Sequence, residues 1–174
     1  MTLSLREPRT LDELLNYRLQ RLYSNSAAPV TRLMEGRFGI SRREWRLLAL
    51  LATHGPLSPS ALAERAHLDR PRTSRATTTL VAKRLAARVT EPGDGRRARV
   101  GLTDAGRRLF DAAFPQVAAI NARLMTALDE RTAQALDQAL RELTALAEQI
   151  NAEVAQDVRA DRRGGGSRRW PAPD

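Results

Sequence analysis

The sequence predicts a mainly α-helical fold in which three short helices lead into a two-stranded β-hairpin, with longer helices on both sides. Three observations predict this arrangement. Apolar residues recur at helical spacing over most of the 174 residues. Helix-start signals stand at Ser41, Ser58 and Asp69. Between residues 88 and 102 a strand-like alternation around a turn replaces the helical spacing.

The first helix is predicted over residues 11–36. Its leucines at 11, 14, 15, 19 and 22 share one face, and Val30, Leu33 and Met34 continue the pattern. Pro29 lies inside this stretch, so we expect it to kink or split the helix. Gly36 and Gly39 close the segment.

Three short helices are predicted from their capping residues. Ser41 and Glu44 form a capping-box pattern that opens a helix through Ala52, with Trp45, Leu48 and Leu51 on its apolar face. Ser58 followed by Pro59 opens a helix through about residue 66. Asp69 caps the third, which tolerates Pro71 in its first turn.

A β-hairpin follows these helices. Residues 88–91 and 97–102 alternate as strands do, on either side of the turn-forming segment at residues 92–95. Three short helices with a hairpin after them make a winged helix-turn-helix.

Two helices are predicted after the hairpin, one from Thr103 interrupted at Pro115, and one capped by Asp129. In the last helix Leu136, Leu140, Leu143, Ala147, Ile150 and Val154 repeat every three or four residues. This narrow apolar line suits pairing with a helix of a second copy, although it could also pack within one chain. We therefore expect an N-terminal dimerisation arm (1–36), a winged helix-turn-helix domain (37–104), C-terminal dimerisation helices (105–156) and a disordered Arg/Gly tail (157–174).

Composition narrows the function. The chain contains no cysteine, which excludes thiol catalysis, disulfides and thiolate zinc sites, and its two histidines are too few to favour another metal site. It carries no P-loop, dinucleotide fingerprint or HExxH motif, so we expect no enzyme and no cofactor. We find no membrane-spanning run and no leader peptide, and we expect a cytoplasmic protein.

Positive charge is concentrated in one segment. The chain has a net charge of +9, and residues 69–99 hold nine basic side chains against three acidic ones. A basic protein attracts polyanions, and phosphate contacts dominate affinity for nucleic acids. In a winged helix-turn-helix, the third helix enters the major groove and the hairpin reaches the DNA backbone or the minor groove.

The predicted DNA-contacting residues lie on these two elements. On the third helix they are Arg70, Arg72, Thr73, Ser74, Arg75 and Thr78, and on the hairpin Asp94, Arg96, Arg97 and Arg99. Thr73 could instead fill a core position. Asp94 and Arg96 could instead form an ordinary turn salt bridge. Without the hairpin, the arginines at 70–75 would fit a merely solvated helix face.

Residues 40–109 resemble the MarR family of winged-helix regulators. The resemblance rests on SRREWRLLALLATHGPLSPSALAERAHLDRPRTSR and EPGDGRRARVGLTDAGRRL, in which DGRR resembles the family's Asp-x-Arg wing signature. It implies a homodimer that binds a pseudo-palindromic operator in double-stranded DNA and is released by a small aromatic acid. One departure is Arg84, where the family usually has glycine, so we expect this turn to tolerate a non-glycine residue or to be reshaped.

The resemblance also implies an effector site between the arms and the DNA-binding lobe. Its predicted residues are Tyr17, Arg18, Arg21, Trp45 and His54, with Arg18 as a clamp for the carboxylate. Two simpler interpretations remain open: Arg18 could extend its charge to the solvent, and His54 could cap the end of its helix. For the whole protein, the alternative function is a nonspecific architectural DNA-binding protein.

Overall fold

The computed structural model describes residues 5–91 and 94–157, and the side chains of residues 90–98 and 157 are not described. It contains six α-helices and one two-stranded antiparallel sheet within this part of the chain. The elements are α1 (Leu15–Arg37), α2 (Arg42–His54), α3 (Pro59–Arg65), α4 (Arg70–Ala82), β1 (Ala86–Glu91), β2 (Asp94–Leu102), α5 (Asp104–Met125) and α6 (Glu130–Asp157). This order confirms the winged helix-turn-helix core with flanking helices.

The predicted caps of the short helices are present. Ser41 Oγ accepts a hydrogen bond from Glu44 N at 3.2 Å, and Glu44 Oε2 accepts one from Ser41 N at 2.6 Å, which completes the capping box. Ser58 Oγ accepts from Ala61 N at 3.2 Å. These bonds satisfy amides that the helix itself leaves without acceptors, and so they fix where α2 and α3 begin.

The hairpin is longer than the sequence pattern indicates. Register pairs Ala86 with Leu102 and Val89 with Arg99, with an irregularity at Thr90 and Glu91. Leu57, between α2 and α3, exchanges two backbone hydrogen bonds with Val100 of β2, at 2.8 and 2.9 Å. This bridge fixes the base of the hairpin against the helix-turn-helix.

The core lies among the helices that surround α2. Its fully buried side chains include Met34, Ile40, Leu47, Leu48, Leu51, Leu62 and Leu80. Leucines dominate because the chain has few aromatic residues, although Trp45 stacks on Phe110 at a ring distance of 5.7 Å. The apolar face predicted for α2 is confirmed, since Trp45, Leu48 and Leu51 are all buried.

The long helices differ from the sequence prediction in two ways. The first helix begins at Leu15 rather than at residue 11, because Leu14 is extended (ψ 126°) and Leu11–Glu13 form a separate 3₁₀ turn. Both α1 and α5 continue through their prolines, so Pro29 does not split its helix and Pro115 does not interrupt the other. Each proline lies on an exposed part of its helix, where a missing amide donor is tolerated.

The chain divides into two compact units between residues 124 and 125. The second unit contains α6. Asp129, the residue before this helix, accepts a hydrogen bond at its Oδ1 atom from Thr132 N at 2.7 Å, which confirms the predicted cap. The assignment of the arms to dimerisation stays a prediction. The Arg/Gly tail predicted from residue 157 onward lies outside the described residues apart from the last backbone position of α6.

Candidate nucleic-acid interface

Helix α4 has one buried face and one exposed face. Thr73, Ala76 and Leu80 point into the fold, where α4 contacts α2, α3 and β1. The other predicted residues of this helix are exposed, namely Arg70, Arg72, Ser74, Arg75 and Thr78. Residues three or four apart share a helix face, so the packing of α4 leaves a continuous polar surface toward solvent.

The first turn of α4 holds one arginine in a defined position. Asp69 Oδ1 accepts a hydrogen bond from Arg72 N at 2.7 Å, and its Oδ2 lies 3.1 Å from Arg72 Nε. The Asp69 carboxylate therefore both caps the helix and orients the guanidinium of Arg72. The Arg72 side chain remains 56% exposed, so it is oriented and still accessible.

Thr73 takes the core position that the sequence left as an alternative to DNA contact. Its side chain is 2% exposed, and its hydroxyl donates a hydrogen bond to the Asp69 carbonyl oxygen at 3.0 Å. In this position the hydroxyl stabilises the first turn of α4, because its one donor is used within the helix.

A cavity of about 280 Å³ lies between α4 and the hairpin. Three arginines from three elements line it, Arg70 from α4, Arg88 from β1 and Arg99 from β2. Five hydroxyl residues line it as well, namely Ser60, Thr73, Ser74, Thr77 and Thr78, and none of its described lining residues is acidic. Guanidinium groups and hydroxyls are donors that proteins use to bind phosphate, and they stand here beside the apolar side chains of Pro59, Val81 and Val100.

Arg88 and Ser60 were missed as candidate site residues. Arg88 was counted in the basic segment, but only the register of the hairpin shows that it faces the same cavity as Arg70. Register is set by pairing across the turn, which a single strand pattern does not specify.

The predicted residues at the hairpin tip have an observed backbone only. Asp94, Arg96 and Arg97 belong to β2, and their side chains lie outside the described residues. Their role in binding stays a prediction. Arg99, nearer the base, lines the cavity described above.

A second cavity of about 410 Å³ lies between α1 and α2. Trp45 and Tyr23 line it together with Arg42 and Arg46. The Arg42 guanidinium lies over the Tyr23 ring at 4.9 Å from its centroid, a cation–π contact. Arg46 donates one hydrogen bond to the Tyr23 hydroxyl at 2.8 Å and another to the Ala66 carbonyl oxygen at 3.0 Å.

Of the predicted effector residues, only Trp45 lines this second cavity. Arg21 pairs with Asp12 at 3.1 Å and lies over the Tyr17 ring, and Arg18 is exposed on α1. His54 is exposed at the C-terminal end of α2. The two arginines of α2 were not predicted, because they follow Tyr23 by about twenty residues and meet it only through helix packing.

Other kinds of site are not evident in the described part of the chain. Residues 5–91 and 94–157 contain no group of three His, Cys, Asp or Glu side chains placed to bind a metal ion. Within the same ranges, no helix has both the length and the apolarity to cross a bilayer.

Comparison with known proteins indicates the family. Residues 38–97 match the model of the MarR family. A MarR family transcriptional regulator from Silicibacter pomeroyi has the same fold with 28% identity and a TM-score of 0.68, over 78% of this chain and 91% of the other. This segment matches the MarR family, and the fold is that of a solved MarR family regulator. The resemblance noted from the sequence is confirmed, and both the family and the fold are those of transcriptional regulators rather than enzymes.

Two other solved structures with this fold carry a bound molecule. NadR in complex with 4-hydroxyphenylacetate is 25% identical with a TM-score of 0.65, over 75% of this chain and 92% of NadR. The Staphylococcus aureus MepR–DNA complex is 21% identical with a TM-score of 0.69, over 76% of this chain and 97% of MepR, and so shows a shared fold. No curated protein sequence matches the chain significantly.

Proposed function

We propose that this protein is a MarR family regulator that binds a specific sequence in double-stranded DNA through α4 and the hairpin. The observation that carries the proposal is the exposed polar face of α4, which holds Arg70 and Arg72 beside a cavity that Arg88 and Arg99 of the hairpin also line. Phosphate contacts there would set the orientation of the protein on DNA, while Arg72, Ser74, Arg75 and Thr78 reach the base edges. The S. aureus MepR complex with DNA supports the same use of this fold.

The protein acts as a homodimeric repressor on a pseudo-palindromic operator, in the cytoplasm. Support for the dimer comes from α6, where Leu136, Leu140, Leu143, Ile150 and Val154 are between 39% and 52% exposed along one line. A second copy of the chain carries the same apolar line, so two α6 helices can pair and remove these side chains from water. A two-fold dimer also presents two α4 helices to two half-sites of DNA.

A small aromatic acid releases the repressor by binding in the cavity between α1 and α2. Trp45 and Tyr23 offer aromatic surface, and Arg42 and Arg46 offer guanidinium groups for a carboxylate. The capture of 4-hydroxyphenylacetate by NadR supports this ligand class.

The DNA proposal is tested by fluorescence anisotropy at physiological salt. We expect the protein to bind DNA from upstream of its own gene at least ~10³-fold more tightly than a shuffled duplex of the same composition. Equal affinity for the two duplexes would contradict sequence-specific control and favour the architectural alternative.

The effector proposal is tested with 4-hydroxyphenylacetate and with 4-hydroxyphenethyl alcohol, which lacks the carboxylate. The acid should raise the melting temperature and weaken DNA binding, because a ligand that binds one conformation stabilises that conformation. The alcohol should do neither. If benzoates, cinnamates and phenylacetates all leave both measurements unchanged, the aromatic-acid proposal is wrong.

A further inference from the structure

Lys83 is the only lysine in the chain, although lysine and arginine together occupy 29 positions. It is the residue directly after α4, and its ammonium group contacts two other elements. Lys83 Nζ donates a hydrogen bond to the Gly39 carbonyl oxygen at 2.8 Å and lies 2.9 Å from Glu44 Oε1 and 3.2 Å from Glu44 Oε2. The end of α4 is therefore tied to the loop between α1 and α2 and to the first turn of α2.

The partner carboxylate belongs to the capping box of α2. Glu44 is 4% exposed, and the same Oε2 atom that contacts Lys83 accepts the hydrogen bond from Ser41 N at 2.6 Å. A buried carboxylate without a cation is strongly unfavourable, so Glu44 depends on the ammonium of Lys83, whose own side chain is 36% exposed. One ion pair thus joins the start of α2 to the end of α4.

The shape of this contact explains why lysine is used here. An ammonium is compact and has three donors that point apart, and in this site two acceptor residues surround it. A guanidinium is planar and presents its donors as a fork. Every other position among the lysines and arginines of the chain is arginine. The single lysine side chain occurs where the Gly39 carbonyl oxygen and the Glu44 carboxylate both contact one nitrogen atom.

We propose that Lys83 is a positioning residue, which through its ion pair with Glu44 fixes the angle of α4 against α2 and so sets the specificity of DNA recognition. The inference rests on the proposed function of α4 in DNA binding. Lys83 acts through α4, whose base-facing residues must be held to a fraction of an ångström for direct readout.

Glu44→Gln separates positioning from simple electrostatics. The side-chain amide oxygen of this variant can still accept the hydrogen bond from Ser41 N, so the cap of α2 is retained, while the charge that holds Lys83 is lost. Removal of an acid from a protein that binds a polyanion would by electrostatics alone tighten DNA binding. If Lys83 positions α4, Glu44→Gln should instead weaken binding to the specific DNA sequence.

The experiment measures affinity for operator and shuffled duplexes in Glu44→Gln, Lys83→Met and Glu35→Gln, the last being an exposed acid on α1 that gives the same change of charge. We expect Glu44→Gln and Lys83→Met to bind the operator about tenfold more weakly, with little change on the shuffled duplex. Glu35→Gln should bind both duplexes as the wild type does, or slightly more tightly. Equal or tighter operator binding by Glu44→Gln would overturn the proposal.

A second measurement decides between a positioning role and a general loss of stability. The double variant Lys83→Met/Glu44→Gln should lose no more specificity than either single variant, since both remove one contact. Amide exchange in the last turn of α4 should rise by about tenfold in Lys83→Met, while exchange in β1 and β2 stays unchanged. Unchanged amide exchange in α4 would overturn the proposal, whatever the DNA measurements show. If the wild type does not discriminate between the two duplexes, that result contradicts only the proposed function.

Discussion

Arg84 adopts a left-handed backbone at the end of α4, with φ at +56°. A residue with a side chain is strained there, and the sequence had identified this position as a departure from the usual glycine. Arg84→Gly should therefore raise the free energy of unfolding by about 1 kcal/mol, because the relief of strain exceeds the added flexibility of the unfolded chain. Chemical denaturation measures the change.

The matched control is Arg75→Gly, an exposed position inside α4 with helical geometry. Glycine there should lower the free energy of unfolding by about 1 kcal/mol. If both substitutions lower it, the conformation assigned to Arg84 is wrong.

Glu44 gives the stability of the protein a predictable dependence on pH. Burial raises the pKa of Glu44, but hydrogen bonds from Ser41 and the contact with Lys83 outweigh it, so the pKa lies below the ordinary glutamate value. A carboxylate with a lowered pKa stabilises the fold above the unfolded-state pKa, and this contribution is lost as pH falls through the folded-state pKa. Glu44→Gln should cost about 2 kcal/mol at neutral pH, and the difference from wild type should shrink as the solution is acidified below the ordinary glutamate range. A constant difference across that range, measured by urea denaturation, would contradict the assignment.

Single residues differ in how far the sequence predicts their roles. The caps at Ser41, Ser58 and Asp69 were predicted because a side chain and an amide three residues later form a local contact. The position of Thr73 was left open, because the packing of α4, rather than its own sequence, decides which of its faces is buried. The side of the hairpin on which Arg88 lies depends on the pairing of the two strands, so the sequence alone did not identify Arg88 as a cavity residue.

Gly106, in the first turn of α5, allows that helix to approach the turn after α4. A Cβ atom at this position would lie 1.9 Å from the Leu85 carbonyl oxygen, which already accepts a hydrogen bond from Thr103 N. Because the obstacle is backbone, it cannot move without shifting the start of β1. Gly106→Ala should lower the free energy of unfolding by about 3 kcal/mol.

Gly36→Ala is the control, since it lies in α1 and its added Cβ would meet nothing within 4 Å. This substitution should be neutral or stabilise the protein by up to about 1 kcal/mol. Similar melting temperatures for the two alanine variants would show that α5 does not approach Leu85 as described.

The elements were largely predictable where their signals are local. Helix caps and the alternating hairpin gave α2, α3, α4 and the sheet within a few residues. The long helices were less predictable, because Pro29 and Pro115 are tolerated on exposed positions of α1 and α5 that a sequence pattern does not distinguish from buried ones. The extended backbone at Leu14 likewise interrupts a regular leucine pattern.

At the scale of the whole molecule, the second cavity was the least predictable feature. Tyr23 lies on α1, and its guanidinium neighbours Arg42 and Arg46 lie on α2. Only the packing of the two helices brings them together, and no short motif encodes it. Of the predicted effector residues only Trp45 lines this cavity, and the carboxylate clamp at Arg18 stays a prediction.

Dimerisation through α6 is also a property of the whole molecule. Leu140→Glu places a charge in the exposed apolar line and should shift the protein from dimer to monomer in sedimentation equilibrium, because burial of a charge at a helix interface is unfavourable. Gln149→Glu, on the opposite side of α6, should remain dimeric. A Leu140→Glu protein that sediments as the wild type does would rule out this line as the contact.

The most direct test of DNA binding by α4 and the hairpin compares two arginine variants of equal charge. Arg88 lines the cavity beside α4, whereas Arg131 is exposed on α6. We expect Arg88→Ala to weaken operator binding about tenfold and to reduce the slope of log affinity against log salt by ~1, as the loss of one phosphate contact requires, and Arg131→Ala to leave both unchanged. Equal losses in the two variants would contradict the account, because they would show that DNA responds to net charge and not to this surface.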